Sequence, residues 1–407
     1  MTNKLTTFEE HGEALAYQVE EGWRGETVLC FDRHLDVAVI PPARIARAKE
    51  ALEHGASLLS QHRDLPFRDD EQYTHGLDDF VYLAAALGTV SRFVWVTPPT
   101  PEPEAALWEQ LSWLPGHGEE IVRSWRPTPG GARASVGGLQ IEVVTLEQLQ
   151  TLSLPPDVRV DVDLDWFCDE RGQGKSSVAE LIDALGAAGL RGNLETLCYS
   201  NVSGFLPWSH RYLAEELAAS LGNTLFRSSR PPPLRLLTMD LLTGRAPPTP
   251  SRLEELIDDE LGPLGGPGWS LAGVLAARLQ KFDRVEECWQ RARDGEDRAC
   301  WPAYAAACAL VQGGAYEEAL TWVDRVDGHH DSALWVQARQ LGAIAALRVG
   351  ADRRAAGYAS ACSERVPFRP EPARLAAIAS HRLGEERAAA RWRTLAERAA
   401  QGPIGAR

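Results

Sequence analysis

Nowhere does the sequence approach the ~20 uninterrupted apolar residues that a membrane-spanning helix needs. Its opening, MTNKLTTFEEHGEAL, is polar and acidic and lacks the basic and apolar regions of a secretory signal. Cys-x-x-Cys pairs are absent. The seven cysteines are an odd number, and most, such as Cys30, Cys198 and Cys308, sit in apolar or helical stretches. These absences lead us to expect a soluble chain in a reducing cytoplasm, without a disulfide framework. Positive charge is scarce too: a net charge of −15 argues against a nucleic-acid partner, which would need clustered lysine and arginine to meet phosphates. A cationic or arginine-bearing partner stays open, although many proteins are acidic only for solubility.

At 407 residues the chain is too long for one ordinary domain. From about residue 27 to about 225, β-branched runs (TVLCFD, RFVWVTPP, VRVDVDLDWF, ETLCYS) alternate with amphipathic ones (ARIARAKEALEHGASLL, DDFVYLAAALG, SSVAELIDALGAAGL, HRYLAEELAASLG). This rhythm predicts an α/β domain with a largely parallel sheet flanked by helices. A proline-rich passage from Ser228 to Pro250 interrupts it, since proline resists both helix and central strand. Beyond lies an alanine-rich helical part with Gly314, Gly350 and Gly384 spaced by 36 and 34 residues, each followed five positions later by an alanine (Ala319, Ala355, Ala389). Glycine at a helix-helix turn and a small residue at the crossing are marks of a helical repeat. The pattern resembles tetratricopeptide repeats, about three units with a degenerate one around Lys281–Trp289. A plain helical bundle without a binding role is the alternative. The expected organisation is a domain over 1–227, a linker over 228–250 and an all-α helical-repeat domain over 251–407.

The chemistry concentrates in two stretches. In FDRHLDV, which follows the apolar Val28-Leu29-Cys30, strand alternation projects Asp32, His34 and Asp36 from one face. In VDVDLDW the same alternation lines up Asp161, Asp163 and Asp165. Both stretches sit at strand C-terminal ends, where α/β folds open a crevice. Like charges within ~4–6 Å raise one another's pKa, and a divalent metal pair removes that conflict. Oxygen-rich ligation with one or two imidazoles suits Mn²⁺ or Mg²⁺, and also Fe²⁺ or Zn²⁺. Two such ions can ionise a water near neutral pH. The bland alternatives are a capping aspartate, a surface histidine and a solvated acidic face; Asp165 in particular could cap a turn or support a ligand from behind.

Asp32-Arg33-His34-Leu35-Asp36, Trp95-Val96-Thr97-Pro98 and Asp161-Val162-Asp163-Leu164-Asp165-Trp166-Phe167 together resemble the arginase and agmatinase superfamily. The likeness is nearer to its peptide arginases, which accompany ribosomally made peptide natural products. It covers about residues 25–225. The resemblance implies an arginase-like fold with two manganese ions: Asp32 and Asp161 bridging, Asp36 on one ion, His34 with Asp163 on the other. Arginases use a further histidine ahead of the first motif. His11 is read as part of a leading helix or tail, which leaves His75 in EQYTHGLDDF as the candidate, with Asp78 and Asp79 as helix caps. The glutamate that grips free arginine has no counterpart after ETLCYS, where Ser200 and Asn201 stand instead as substrate-binding candidates, and Glu195 falls at the strand start. Asp165, His117 and His210 are the candidates for catalytic and proton-donor roles.

The resulting expectation is a metal-dependent hydrolase that converts peptidyl arginine to ornithine and urea in the maturation of a ribosomal peptide. The helical repeats would contact a precursor's leader segment or a protein partner. The alternatives are a non-peptide ureohydrolase or amide hydrolase of the same superfamily, and a non-catalytic helical-repeat binding protein on a vestigial arginase-like fold.

Overall fold

The computed structural model describes residues 4–61, 74–76, 78–100, 102–168, 174–200, 206, 210–227, 254–294, 300–326 and 333–401. Asn201 and the proline-rich passage 228–250 lie outside the described residues. The chain divides into two compact units, the second of which takes residues 111–122 together with everything from Gly244 onward. No described helix is long and apolar enough to cross a membrane.

The first unit is built on a nine-stranded mixed sheet. Its strands are β1 (Lys4–Phe8), β2 (Glu26–Phe31), β3 (Val90–Val96), β4 (Arg126–Thr128), β5 (Gly131–Val136), β6 (Leu139–Val144), β7 (Arg159–Asp163), β8 (Leu194–Cys198) and β9 (Thr224–Arg227), in the order β4-β5-β6-β3-β2-β7-β8-β1-β9. The seven strands from β6 to β9 in that order pair in parallel, while β4 and β5 join antiparallel at one edge. Helices connect them: α1 (Ala14–Glu20), α2 (Pro42–Glu53), α3 (Phe80–Leu87), α4 (Pro103–Leu111), α6 (Val178–Ala187) and α7 (Tyr212–Leu221), whereas most of α5 (Gly118–Ser124) belongs to the second unit. Strands buried on both faces read as apolar runs, and Val28–Phe31 and Phe93–Val96 are buried throughout. β7 departs from this. Val160 and Val162 join the core from one face, whereas Asp161 and Asp163 project from the other, equally buried.

One correction bears directly on the site. The opening residues form β1, which pairs in parallel with β8 and β9, so His11, read from sequence as part of a leading helix or tail, stands on the helical turn that follows a strand end. The interior of β1 carries Thr6 and Thr7, buried but polar, so the stretch lacks the apolar signature of a central strand. The sheet changes direction between β2 and β7: from β2 the chain proceeds outward to β3, and after the β4–β6 excursion it returns to β7 on the opposite side of β2. Open α/β sheets place their crevice at such a switch point, beyond the strand C-terminal ends.

The second unit stacks four helical hairpins, each numbered onward from the first unit: α8 (Gly266–Arg278) with α9 (Phe282–Asp294), α10 (Cys300–Gln312) with α11 (Tyr316–Arg325), α12 (Ala333–Arg348) with α13 (Asp352–Arg365), and α14 (Pro370–Arg382) with α15 (Glu386–Ala400). The first helix of each pair packs on the first helix of the next, as repeat stacking requires. Gly314, Gly350 and Gly384 all have left-handed backbone, with φ of 79°, 74° and 75°. Each turn closes with the same pair of hydrogen bonds, for example Ala315 N to Leu310 O at 2.9 Å and Gly314 N to Val311 O at 3.1 Å. In the first hairpin Gln280 takes the glycine position, with φ 57°, and Lys281 N reaches Ala276 O at 2.9 Å. Val285 replaces the alanine at the crossing, and Val285, Ala319, Ala355 and Ala389 are all fully buried. The degenerate unit seen in sequence is thus a complete hairpin.

Candidate metal centre

Four adjacent strands, β2, β7, β8 and β1, deliver polar side chains to one place beyond their C-terminal ends. After β2, Trp95 Nε1 donates to the Asp32 carbonyl at 2.8 Å, and His34 N donates to Asp32 Oδ1 at 2.8 Å. Two residues on, Asp36 adopts left-handed backbone (φ 49°), which turns the chain back toward α3. From β7, Asp161 Oδ1 accepts from Thr196 Oγ1 at 2.7 Å. Asp163 Oδ1 accepts from Asp165 N at 3.0 Å, so this aspartate caps the turn that carries Asp165. Ser200, just past β8, has φ 44° and donates from Oγ to Asp163 Oδ2 at 2.5 Å. Asp165 receives Arg33 N at 3.2 Å and lies 3.0 Å from His34 Nδ1.

The residue that sequence reasoning missed is His11, placed one short turn after β1. Its Nε2 lies 2.6 Å from Asp161 Oδ2, and its Nδ1 lies 2.9 Å from Asp32 Oδ2, 3.1 Å from Asp36 Oδ2 and 3.5 Å from Asp163 Oδ2. The available signal was EEHGE directly after the Thr-Thr-Phe run, a third polar cluster at a strand end.

His75 does not enter this cluster. Its Nδ1 lies 2.8 Å from Thr74 Oγ1 and its Nε2 lies 3.1 Å from the carbonyl of Gly12, so it holds the backbone next to His11. Asp79 accepts from Gly76 N at 2.6 Å, a local turn contact. His117 pairs within its own helix start with Glu120 at 3.0 Å, and it belongs to the second unit. The His210 ring stacks on Tyr212 with 6.3 Å between centroids. Glu195 bonds Tyr17 and Arg159, at 2.9 and 2.8 Å, at the start of β8.

The electrostatics follow from burial. Five aspartates face two histidines and Arg33, so even with every base protonated the negative charges are in excess. Burial and the charges of Asp36 and Asp165 push Asp32 up to about 8, against the opposing pull of His11. Burial, with Asp165 and Asp32, holds Asp163 well above the usual carboxylate range, and burial raises Asp36 as well. For Asp161 and Asp165 burial acts upward but loses: His11 keeps Asp161 below its usual value, and His34 with Arg33 does the same for Asp165. Burial would lower His34, yet the bond to Asp165 and the surrounding aspartates raise it to about 9. His11 is likewise held well above its usual value despite burial, chiefly by Asp161. Protons therefore stay where cations would otherwise be needed.

Three groups of ligand atoms lie within 4.8 Å of one another: His11 with Asp32 and Asp36, Asp32 with His34 and Asp165, and His11 with Cys30 and Asp161. The first two share Asp32. Asp163 Oδ2 already accepts from Ser200, and a single Nδ1–H of His11 can serve only one of Asp32 and Asp36, so a carboxylate oxygen remains that a cation would serve. Carboxylate and imidazole donors at this spacing fit divalent ions.

No protein-family model matches the chain, and no curated protein matches it. Among solved structures, one described as MamA MSR-1 C2 is 16% identical over 40% of this chain and 92% of its own, with a TM-score of 0.31. Another, a MamA RS-1 ArsTM double mutant, is 14% identical over 41% of this chain and 92% of its own, also at 0.31.

Proposed function

We propose that the first unit is a dinuclear-metal hydrolase that converts arginine within a peptide to ornithine and urea. The observation that carries this reading is the pair of ligand groups sharing Asp32, set beyond the β2/β7 switch point. The arginase resemblance calls for a histidine ahead of the first aspartate motif, and His11 fits that role. His11, Asp32, Asp36 and Asp161 would hold one ion, and Asp32, His34, Asp163 and Asp165 the other. When bound, a divalent pair of this kind supplies Lewis acidity and lowers the pKa of water.

The protein's own groups then define what the site does. Asp165, held by Arg33 and His34, orients His34 toward the shared carboxylate. Ser200 fixes Asp163 from the side opposite its turn. His34 keeps 32% of its side chain exposed while the aspartates are buried, so the crevice opens on its side and a substrate would approach there. A guanidinium is compatible with such an acidic mouth. The Ser200 position offers no carboxylate to grip a free amino acid, which favours a side chain presented on a peptide. The stacked hairpins of the second unit are suited to holding an extended segment of that peptide or a protein partner.

The test is a comparison of substrates. The manganese-loaded protein should release urea from an arginine-containing peptide and little from free arginine. Rapid turnover of free arginine with peptides untouched would point to a non-peptide ureohydrolase.

A further inference from the structure

We infer that Cys30 is a metal-selecting ligand, which turns the position beside His11 and Asp161 into one that takes a thiophilic divalent ion, Zn²⁺ before Mn²⁺. The inference rests on the dinuclear reading above and concerns which ion that centre accepts.

Strand alternation already puts Cys30 on the face of Asp32 and His34, one step deeper along β2. The parallel pairing of β2 with β7 then sets Cys30 opposite Asp161. In the structure its Sγ lies 3.8 Å from Asp161 Oδ2, the same oxygen that His11 Nε2 approaches at 2.6 Å. Thiol, imidazole and carboxylate therefore converge, with their ligand atoms within 4.8 Å of one another and all three residues buried. A tetrahedral zinc with Zn–S of ~2.3 Å and Zn–O of ~2.0 Å has a sulfur-to-oxygen edge of ~3.5 Å. The Cys30–Asp161 separation is already close to that edge. An ion seated there would part His11 from Asp161 and take the place of the thiol proton.

The opposite edge of the same imidazole is crowded with carboxylates. His11 Nδ1 faces oxygens of Asp32, Asp36 and Asp163 at 2.9, 3.1 and 3.5 Å, and one nitrogen cannot donate to all three. Carboxylates and imidazoles alone already bind zinc more tightly than manganese. Adding a thiolate widens that preference, because soft sulfur ligands suit Zn²⁺ and poorly suit Mn²⁺. The other buried thiol nearby, Cys198, sits opposite Asp163 and 3.3 Å from Ser200 Oγ, outside the three ligand groups.

The experiment titrates the metal-free full-length chain with Co²⁺, then competes Zn²⁺ and Mn²⁺ for it. The wild type should show a near-ultraviolet thiolate-to-cobalt charge-transfer band. Cys30→Ser should lose the band, and Cys198→Ser should keep it. Relative to wild type, Cys30→Ser should lose on the order of 10–100-fold in Zn²⁺ affinity while Mn²⁺ affinity stays nearly constant. Cys30→Ala serves if the serine variant does not fold, and the wild-type spectrum needs no variant at all. Cobalt binding without a charge-transfer band, or an unchanged Zn²⁺/Mn²⁺ preference in Cys30→Ser, overturns the inference and leaves the dinuclear reading standing. Failure of all three ions to bind overturns both.

Discussion

The Nε2 atom of His11 lies 2.6 Å from Oδ2 of Asp161, joining residues 150 positions apart across β1 and β7. This contact makes the N-terminal strand part of the site. His11→Ala should therefore weaken metal binding by at least on the order of 10-fold. It should also reduce the rise in melting temperature that added Mn²⁺ produces, which scanning calorimetry with and without the ion would read. An unchanged metal response would place His11 outside the centre.

The metal-free protein should lose stability as pH rises from about 4 to about 9. Asp32 keeps its proton up to about 8 in the fold, whereas an unfolded aspartate releases it near 3.8, so folding takes up a proton across that window. His34, raised from 6.5 to about 9, contributes stability that is fully present below 6.5 and is lost as pH climbs through 9. Both slopes have the same sign. Asp161 and Asp165 are depressed and act only below the ordinary carboxylate range. With metal bound the dependence should reverse, because the ligands bind metal only when deprotonated. Urea denaturation at several pH values, with chelator and with Mn²⁺, checks this; parallel slopes in the two series would contradict it.

Ser200 combines a left-handed backbone with a hydrogen bond to a buried carboxylate. Ser200→Ala should cost about 1–3 kcal/mol, since Asp163 loses a donor. Ser200→Gly should cost less, because glycine accepts φ of 44° freely. Equal losses in both variants, measured by chemical denaturation, would argue that the left-handed backbone adds no strain, and a negligible loss in both that the bond contributes little.

The repeat turns offer an independent check on the second unit. Gln280 occupies with φ 57° the place that glycine holds in the other three hairpins. Gln280→Gly should stabilise by up to about 1 kcal/mol, and Gly384→Ala should destabilise by about 1–2 kcal/mol. Thermal melts of the full chain would show shifts of opposite sign; the same sign for both would break the equivalence of the turns.

Much of this arrangement was legible before any coordinates. The apolar runs ending in Asp-x-His-x-Asp and Asp-x-Asp announced parallel strands with carboxylates at their C-terminal ends, and β2 and β7 lie side by side. The glycine spacing announced the hairpins. β1 was hidden because its buried positions include Thr6 and Thr7, whose burial depends on neighbours that only the folded sheet supplies. With β1 hidden, His11 looked peripheral, and His75 took a place it does not hold: it braces the Gly12 carbonyl instead. The proline-rich passage marks a change of composition, but the units are not two consecutive stretches. Trp113 packs with Trp335 and Cys362 in the second unit, a long-range partnership that no local pattern encodes.

Counting bound metal tests the central claim most directly. After equilibrium dialysis against Mn²⁺ or Zn²⁺ and elemental analysis, the full-length protein should carry two ions per chain, and Asp32→Asn, which alters the residue shared by both ligand groups, should lower the content at both positions. A wild-type protein that retains no divalent ion, or an Asp32→Asn variant that retains as much as wild type, would contradict a dinuclear centre at these residues.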